Sequence, residues 1–221
     1  TCLFLYVNGK YVGFSMVSRM QSEFNITPFV KEGTNTVTVK VIKWCIGSYL
    51  EDQDCFRMNG IFRDVYLLSR AKGHAKDIEI KADTKKIEVS EPDYEIFDAE
   101  GKSLGKSVEN PILWSAEKPY IYTVVVKKAG EFIPFKVGMR EIVINSEGEL
   151  LINGSPVKMM GVNHHDTHPL TGYYVTDDFL YEELLKMKAL NINCIRTSHY
   201  PPVPEFLNMT DELGFYVIDE A

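Results

Sequence analysis

The 221-residue chain is poor in cysteine, in positive charge and in long apolar runs, and each shortage closes off a class of protein. Its four cysteines, Cys2, Cys45, Cys55 and Cys194, lack the paired spacing of a zinc site, and Cys194 sits inside an apolar run. Free thiols in a reducing compartment fit that usage better than a disulfide framework does. Lys and Arg number 24 against 31 Asp and Glu, a formal charge of −7, so there is no basic stripe to track phosphates and no nucleic-acid partner is expected. No apolar run approaches the roughly 20 residues of a membrane span, so no membrane partner is expected either. The first residues carry no charged-then-apolar leader, which says little of export if the chain begins inside a longer protein. The remainder, 45% hydrophobic and 25% charged, has the balance of a globular chain with material for more than one core.

The most informative stretch is Val157 to Ala221. Three short apolar runs, Val157–Val162, Cys194–Ile195 and Phe215–Ile218, each end in polar residues: Asn163 to His168, Arg196 to His199, and Asp219-Glu220. Between them lie two helical patterns. Thr176 and Asp177 offer a cap, and Leu180, Leu184, Met187 and Leu190 form one stripe before Asn191 and Asn193. The second pattern follows Pro202 and Pro204, carries Phe206, Met209 and Leu213, and stops at Gly214. Apolar strands alternating with amphipathic helices predict a parallel sheet, and polar groups after each strand place chemistry at the C-terminal ends, as in a (β/α)₈ barrel. The stretch is roughly a quarter of the roughly 250 residues of a complete barrel, so the first three of its eight strands are expected.

The preceding sequence is β in character. Asn8-Gly9 predicts a tight hairpin between Leu3–Val7 and Tyr11–Phe14, Thr36 to Lys43 alternates, and Ile61 to Leu68 predicts a last strand of an antiparallel sandwich. The sandwich starts abruptly in a strand, so further strands are expected ahead of it. Lys72 to Asp77 reads as a linker. Short strands at Ile78–Ile80, Ile87–Val89, Tyr94–Phe97, Ile121–Lys127 and Phe132–Val137 predict an immunoglobulin-like sandwich, shorter than the usual 100 or so residues. Asn110 to Ser115 is expected to bury the indole of Trp114, and a hairpin around Asn145 to Gly148 leads into the barrel.

Three groups of side chains invite chemistry. His164, His165 and His168 admit a metal site, a polar pocket lined by neutral imidazoles, or plain surface histidines; the loop context and the want of a defined third ligand favour the pocket. Ser198 beside His199 is not a triad, because adjacent residues diverge at a strand end; His199 is instead a candidate hydrogen-bond donor to a ligand, and Arg196 a carboxylate anchor in the barrel floor. The run Glu51, Asp52, Gln53, Asp54 is too interleaved with Tyr49, Phe56 and Met58 to be only a solvated face, and its carboxylates suit a hard cation such as sodium or calcium.

Taken in order, the segments Gly47 to Asp54, Arg57 to Val65, Asn110 to Glu117, Leu151 to Gly154, Gly161 to Asn163, His165 to Leu170, Ile195 to Pro201 and Asp211 to Ala221 resemble the central part of a glycoside hydrolase family 2 β-galactosidase of the bacterial type. The resemblance implies the C-terminal part of a jelly-roll sugar-binding domain over residues 1–72, a shortened immunoglobulin-like β-sandwich over 73–140, and the N-terminal part of a TIM-barrel catalytic domain over 141–221. It implies hydrolysis of terminal β-D-galactosides such as lactose with retention, by two glutamates that fall outside this chain, so the chain alone is expected to be inactive. By the same resemblance His165 and His199 contact the galactosyl ring and support the transition state. Asp54 is expected to reach the 6-hydroxyl and a sodium ion, and the full-length protein is expected to use magnesium and sodium, to form a homo-oligomer and to be cytoplasmic. A β-glucuronidase of the same family shares the run Arg196 to Pro201, and a non-catalytic carbohydrate-binding or scaffold remnant is the reading from another class. The chain departs from the family at His164, where arginine is usual, at Cys45-Ile46, at Met139, where phenylalanine is common, and in the short middle domain.

Overall fold

The structure is a computed structural model that describes residues 1–51 and 53–220; Asp52 of the acidic run and Ala221 lie outside the described residues. The first region is an antiparallel sheet in the order β2-β1-β3, built from β1 (Cys2–Val7), β2 (Lys10–Ser15) and β3 (Val37–Ile42). Asn8 and Gly9 both take positive φ, 51° and 76°, which is the twist a two-residue hairpin needs. Phe4 stacks on Phe14 and Tyr6 meets Tyr11 edge-on across β1 and β2, while Leu5 and Val7 are buried. The expected strand at Ile61 to Leu68 is not formed: among the described residues it has no ladder partner, and Val65, Tyr66, Leu67 and Leu68 are exposed. The residue types favour a strand, but a strand also needs a neighbouring edge to accept its hydrogen bonds.

The second region holds a two-stranded ladder, β4 (Ile80–Ala82) with β5 (Ile87–Val89), and a four-stranded sheet. In the latter, β6 (Tyr94–Phe97), β7 (Ser103–Gly105), β8 (Tyr122–Lys128) and β9 (Glu131–Val137) lie in the order β7-β6-β8-β9. Alternate residues of β8, Tyr122, Val124 and Val126, are buried together with Ile87, Ile96, Val137 and Met139 to make the core of this sandwich. Met139, the departure noted above, is fully buried in that core, where a flexible thioether packs readily against irregular neighbours. The linker is tied down by the Arg70 guanidinium, whose Nε donates to Glu131 at 3.1 Å. Strand β7 has too short an apolar signature to be predicted.

The third region opens with a small antiparallel sheet, β10 (Ile142–Ile144), β11 (Leu150–Ile152) and β12 (Ser155–Pro156). Then β13 (Gly161–His164), α1 (Asp177–Ala189), β14 (Cys194–Thr197), α2 (Pro204–Leu213) and β15 (Tyr216–Ile218) form two successive β-α-β units. Both strand pairs are parallel, with Asn163 opposite Arg196 and Arg196 opposite Ile218. The Thr176 hydroxyl caps α1 by accepting from the Phe179 N–H at 3.3 Å, Pro204 occupies the first turn of α2, and Gly214 ends it at φ 80°. Leu180, Leu184, Ile195, Phe206 and Phe215 are buried between helices and sheet. Leu190, expected on that face, is exposed because α1 ends there. The first strand also begins later than Val157: Val157 and Met159 pack instead on a junction around Trp114, Ile152 and Tyr216.

That junction ties the second region to the third. Trp114 is 1% exposed, donates its indole N–H to the Asp211 carbonyl at 2.8 Å, and lies under the Arg140 guanidinium. Lys188 donates to the carbonyls of Ala116 and Gly214 at 2.9 and 2.6 Å. Among the described residues no helix is long and apolar enough to cross a membrane.

Candidate functional site

The C-terminal ends of β13, β14 and β15 collect the polar residues predicted there, and the chain's first region leans over them. A cavity of about 440 Å³ is lined by His199 and Glu220 from the strand ends and by Gln53 and Asp54 from the loop after β3. Two of the predicted site residues, Asp54 and His199, thus meet although 145 positions separate them. The third, His165, stands behind His199, its ring edge-on at 5.5 Å, with the Tyr200 hydroxyl 3.5 Å from its Nδ1. Burial first, and then the neighbouring His199, push the His165 imidazole below the usual histidine range, so it is held neutral.

The other histidines are dispersed. His164 is buried, stacked on Phe206 at 4.9 Å with its Nε2 3.2 Å from Glu183 on α1. His168 accepts from the N–H groups of Leu170 and Thr171 through Nδ1 and packs on Phe179, so it shapes a turn. The His cluster seen in sequence is therefore three rings with three different environments.

Arg196 does bind a carboxylate, but at the strand ends rather than in the barrel floor. Its Nε donates to Glu220 Oε1 at 2.5 Å, and Nη2 makes a second contact with the same carboxylate. Glu220 Oε2 lies 3.0 Å from His199 Nδ1. Burial raises the Glu220 carboxyl, but the hydrogen bonds from His199 and Arg196 outweigh it and leave the group below its ordinary value. Thr197 locks the strand end by donating to Asp219 at 2.9 Å and accepting from the Glu220 N–H at 3.0 Å. The Ser198–His199 peptide is cis.

Two arginines of the first region brace this rim. The Arg19 guanidinium lies between the rings of Tyr173 and Tyr200, 3.8 and 3.6 Å from their centroids. Arg63 donates to the Pro201 carbonyl at 2.7 Å and to the buried Asp166 at 3.3 Å, which also accepts from the Val203 N–H. Burial pushes the Tyr173 phenol up to about 12. Sequence reading singled out neither arginine, since nothing in their spacing distinguishes them from surface cations; Glu220 was visible only as the polar end of a strand.

For a hard cation, the oxygen donors on this cavity are Asp54, Gln53 and Glu220, a fitting chemistry for sodium. Among the described residues no group of three acidic, histidine or cysteine side chains is gathered as a transition-metal or magnesium site would require.

The fold is thus two β-rich regions followed by parallel β-α-β units that carry carboxylates and imidazoles at their C-terminal strand ends. Three family models match in succession. The Glycosyl hydrolases family 2 sugar binding domain matches residues 1–71, Glycosyl hydrolases family 2 matches 67–140, and the family 2 TIM barrel domain matches 143–221. The chain belongs to glycosyl hydrolase family 2. It is 42% identical to a beta-galactosidase of Actinobacillus pleuropneumoniae and 38% identical to one of Staphylococcus xylosus, over all of this chain and 24% of each relative. It thus spans about a quarter of the length of the curated relatives it matches. Its fold superimposes on the apo β-glucuronidase of Ruminococcus gnavus with a TM-score of 0.86 at 24% identity, covering 100% of this chain and 45% of that one.

Proposed function

We propose that the chain is the central part of a β-galactosidase that hydrolyses terminal β-D-galactosides such as lactose with retention, and that its three parallel strands are the first three of the barrel. The observation that carries the galactoside reading is the cavity wall of Asp54, Glu220 and His199. Carboxylate oxygens accept hydrogen bonds from neutral sugar hydroxyls, whereas the carboxylate of a uronic acid would meet like charge there. The named beta-galactosidase relatives support the same reading. The alternative, a β-glucuronidase, gains no support from the structural neighbour of Ruminococcus gnavus, whose 24% identity speaks for fold alone.

In this reading Asp54 takes the 6-hydroxyl and, with Gln53, would hold a sodium ion, which would offset the carboxylate's charge and orient it. His165 and His199 contact the galactosyl ring as it flattens. No residue of this chain is assigned the acid/base, nucleophile or magnesium-ligand role of a retaining mechanism in this reading, and the 221 residues are proposed to bind sugar without turning it over. The four free thiols accord with a cytoplasmic setting, and the complete protein is proposed to be a homo-oligomer.

Calorimetric titration of the chain with galactose and with glucuronate tests the assignment. Galactose should bind, glucuronate should not, and Asp54→Asn should weaken galactose about tenfold, or about 1.4 kcal/mol. Preference for glucuronate would overturn the galactoside reading, and binding of neither would favour a scaffold remnant. Turnover of a chromogenic β-galactoside that tracks the chain through purification would refute the placement of the catalytic glutamates.

A further inference from the structure

The ring of His199 has two faces of contact, and only one of them is settled by the protein itself. Its Nδ1 lies between a group that can only accept, Glu220 Oε2 at 3.0 Å, and a group that can only donate, Arg196 Nη2 at 3.2 Å. The two possible neutral tautomers therefore each satisfy one neighbour and oppose the other. The rest of the hydrogen-bond network decides between them. Arg196 Nη2 already has a carboxylate partner in Glu220 Oε1, so it loses little if Nδ1 does not accept from it. Glu220 Oε2, by contrast, has His199 as its only partner among the described residues. A lone pair on Nδ1 would face that charged oxygen directly, an acceptor against an acceptor in a partly buried place, which costs more than a long donor-to-donor approach.

We propose that Glu220 is a positioning residue that holds His199 in the Nδ1–H tautomer, so that the ring offers its unprotonated Nε2 to the cavity as a hydrogen-bond acceptor for a sugar hydroxyl. The identity of the hydroxyl-bearing ligand rests on the galactoside reading above; the tautomer does not. Thr197 supports the arrangement, because its hydroxyl fixes the Glu220 backbone at 3.0 Å and Asp219 at 2.9 Å, which leaves the Glu220 side chain little freedom to turn from the ring. The consequence reverses the expectation drawn from sequence, in which His199 donates to a ligand. With Asp54 and Nε2 both accepting, the wall lined by Asp54, Glu220 and His199 selects hydroxyl donors, and among the described residues that line it none is a cation to receive a ligand carboxylate, while the adjacent Arg196 is committed to Glu220.

The test is two-bond ¹H–¹⁵N correlation of the histidine rings in the ¹⁵N-labelled 221-residue chain at roughly pH 8.5, about two units above an ordinary histidine's pKa. His199 is assigned by loss of its signals in His199→Gln. In the wild type, Nδ1 should give the protonated, pyrrole-type shift and Nε2 the unprotonated, pyridine-type shift. In Glu220→Gln, whose amide can donate to Nδ1, the two should exchange types, while Glu220→Asp should keep the wild-type pattern at least in part. Added galactose should move the Nε2 shift without changing its type. A wild-type His199 with the proton on Nε2 overturns the proposal, and so does a pattern indifferent to Glu220→Gln. Collapse of all five histidines to one coil-like set of signals also overturns it, because the Glu220 contact would then not form in this chain. Failure of galactose to move Nε2, with the tautomer as expected, counts against the galactoside reading alone.

Discussion

Replacing Trp114 tests how the second and third regions are joined. The indole is almost wholly buried between the sandwich and the strands, edge-on to Tyr216 at 5.7 Å and with the Arg140 guanidinium 4.3 Å from its centre. Trp114→Ala removes the ring and leaves a cavity beside Gly138, whose backbone lies directly against the indole and which has no side chain to fill the space. Such a truncation costs about 3–5 kcal/mol. Trp114→Phe keeps most of the apolar contact but deprives the Asp211 carbonyl of its indole donor, for about 1–3 kcal/mol. With a slope of about 2 kcal/mol per molar urea, the Ala variant should lower the denaturation midpoint by about 2 M and the Phe variant by about 1 M.

Because the indole bridges two regions, the effect should also appear in the shape of the curve. Far-UV circular dichroism in urea should give one transition in the wild type and two in Trp114→Ala, as the sandwich and the β-α-β units unfold separately. A loss under about 1 kcal/mol in the Ala variant with a single unchanged transition would refute the account of Trp114 as the junction.

Two further outcomes follow from local geometry. Gly214→Ala should destabilise by at least about 1–3 kcal/mol in the same assay, because φ is 80° and an added Cβ would lie 2.3 Å from the Ala116 carbonyl oxygen. The Glu131 carboxyl is held below its ordinary value chiefly by the hydrogen bond from Arg70. Its stabilising contribution is thus present above the unfolded carboxyl value of about 4.3 and lost as pH falls through the lower folded value. The gap in Tm between wild type and Glu131→Gln should be steady from about pH 8 to about pH 5 and close below about pH 4; a gap that persists in acid would contradict the pairing.

The parts of the fold that were legible in the sequence are those whose cause is local. Thr176, Pro204 and Gly214 mark helix ends through their own backbone chemistry, and Leu180, Leu184 and Phe206 mark the buried faces through spacing alone. Where the sequence misled, the deciding partner was distant. Ile61 to Leu68 has the composition of a strand but no ladder neighbour, and Val157 and Met159 are apolar because of Trp114 rather than because β13 begins there. The site divides in the same way. Asp54, His165 and His199 stood out as polar groups at strand ends or in the acidic run, their sugar roles coming from a family resemblance, whereas the bracing roles of Arg19 and Arg63 depend on aromatic rings and carbonyls more than 100 residues away.

The charge distribution at the rim explains why an acidic chain can gather carboxylates there and still leave one available. Asp166 is neutralised in place by Arg63 and the Val203 N–H, and Glu220 by Arg196. Both arginines are consumed in doing so, and their pairs face the protein's own loops and strands. Asp54, on the cavity wall, has no ion-pair partner among the described residues. Asp54 is exposed, so its carboxylate still holds water that a sugar hydroxyl or a hard cation can replace, whereas the paired carboxylates have already made that exchange with protein partners. The paired carboxylates hold the rim in shape, and in the proposed galactoside reading ligand recognition falls to the unpaired one, which lines the same cavity as His199.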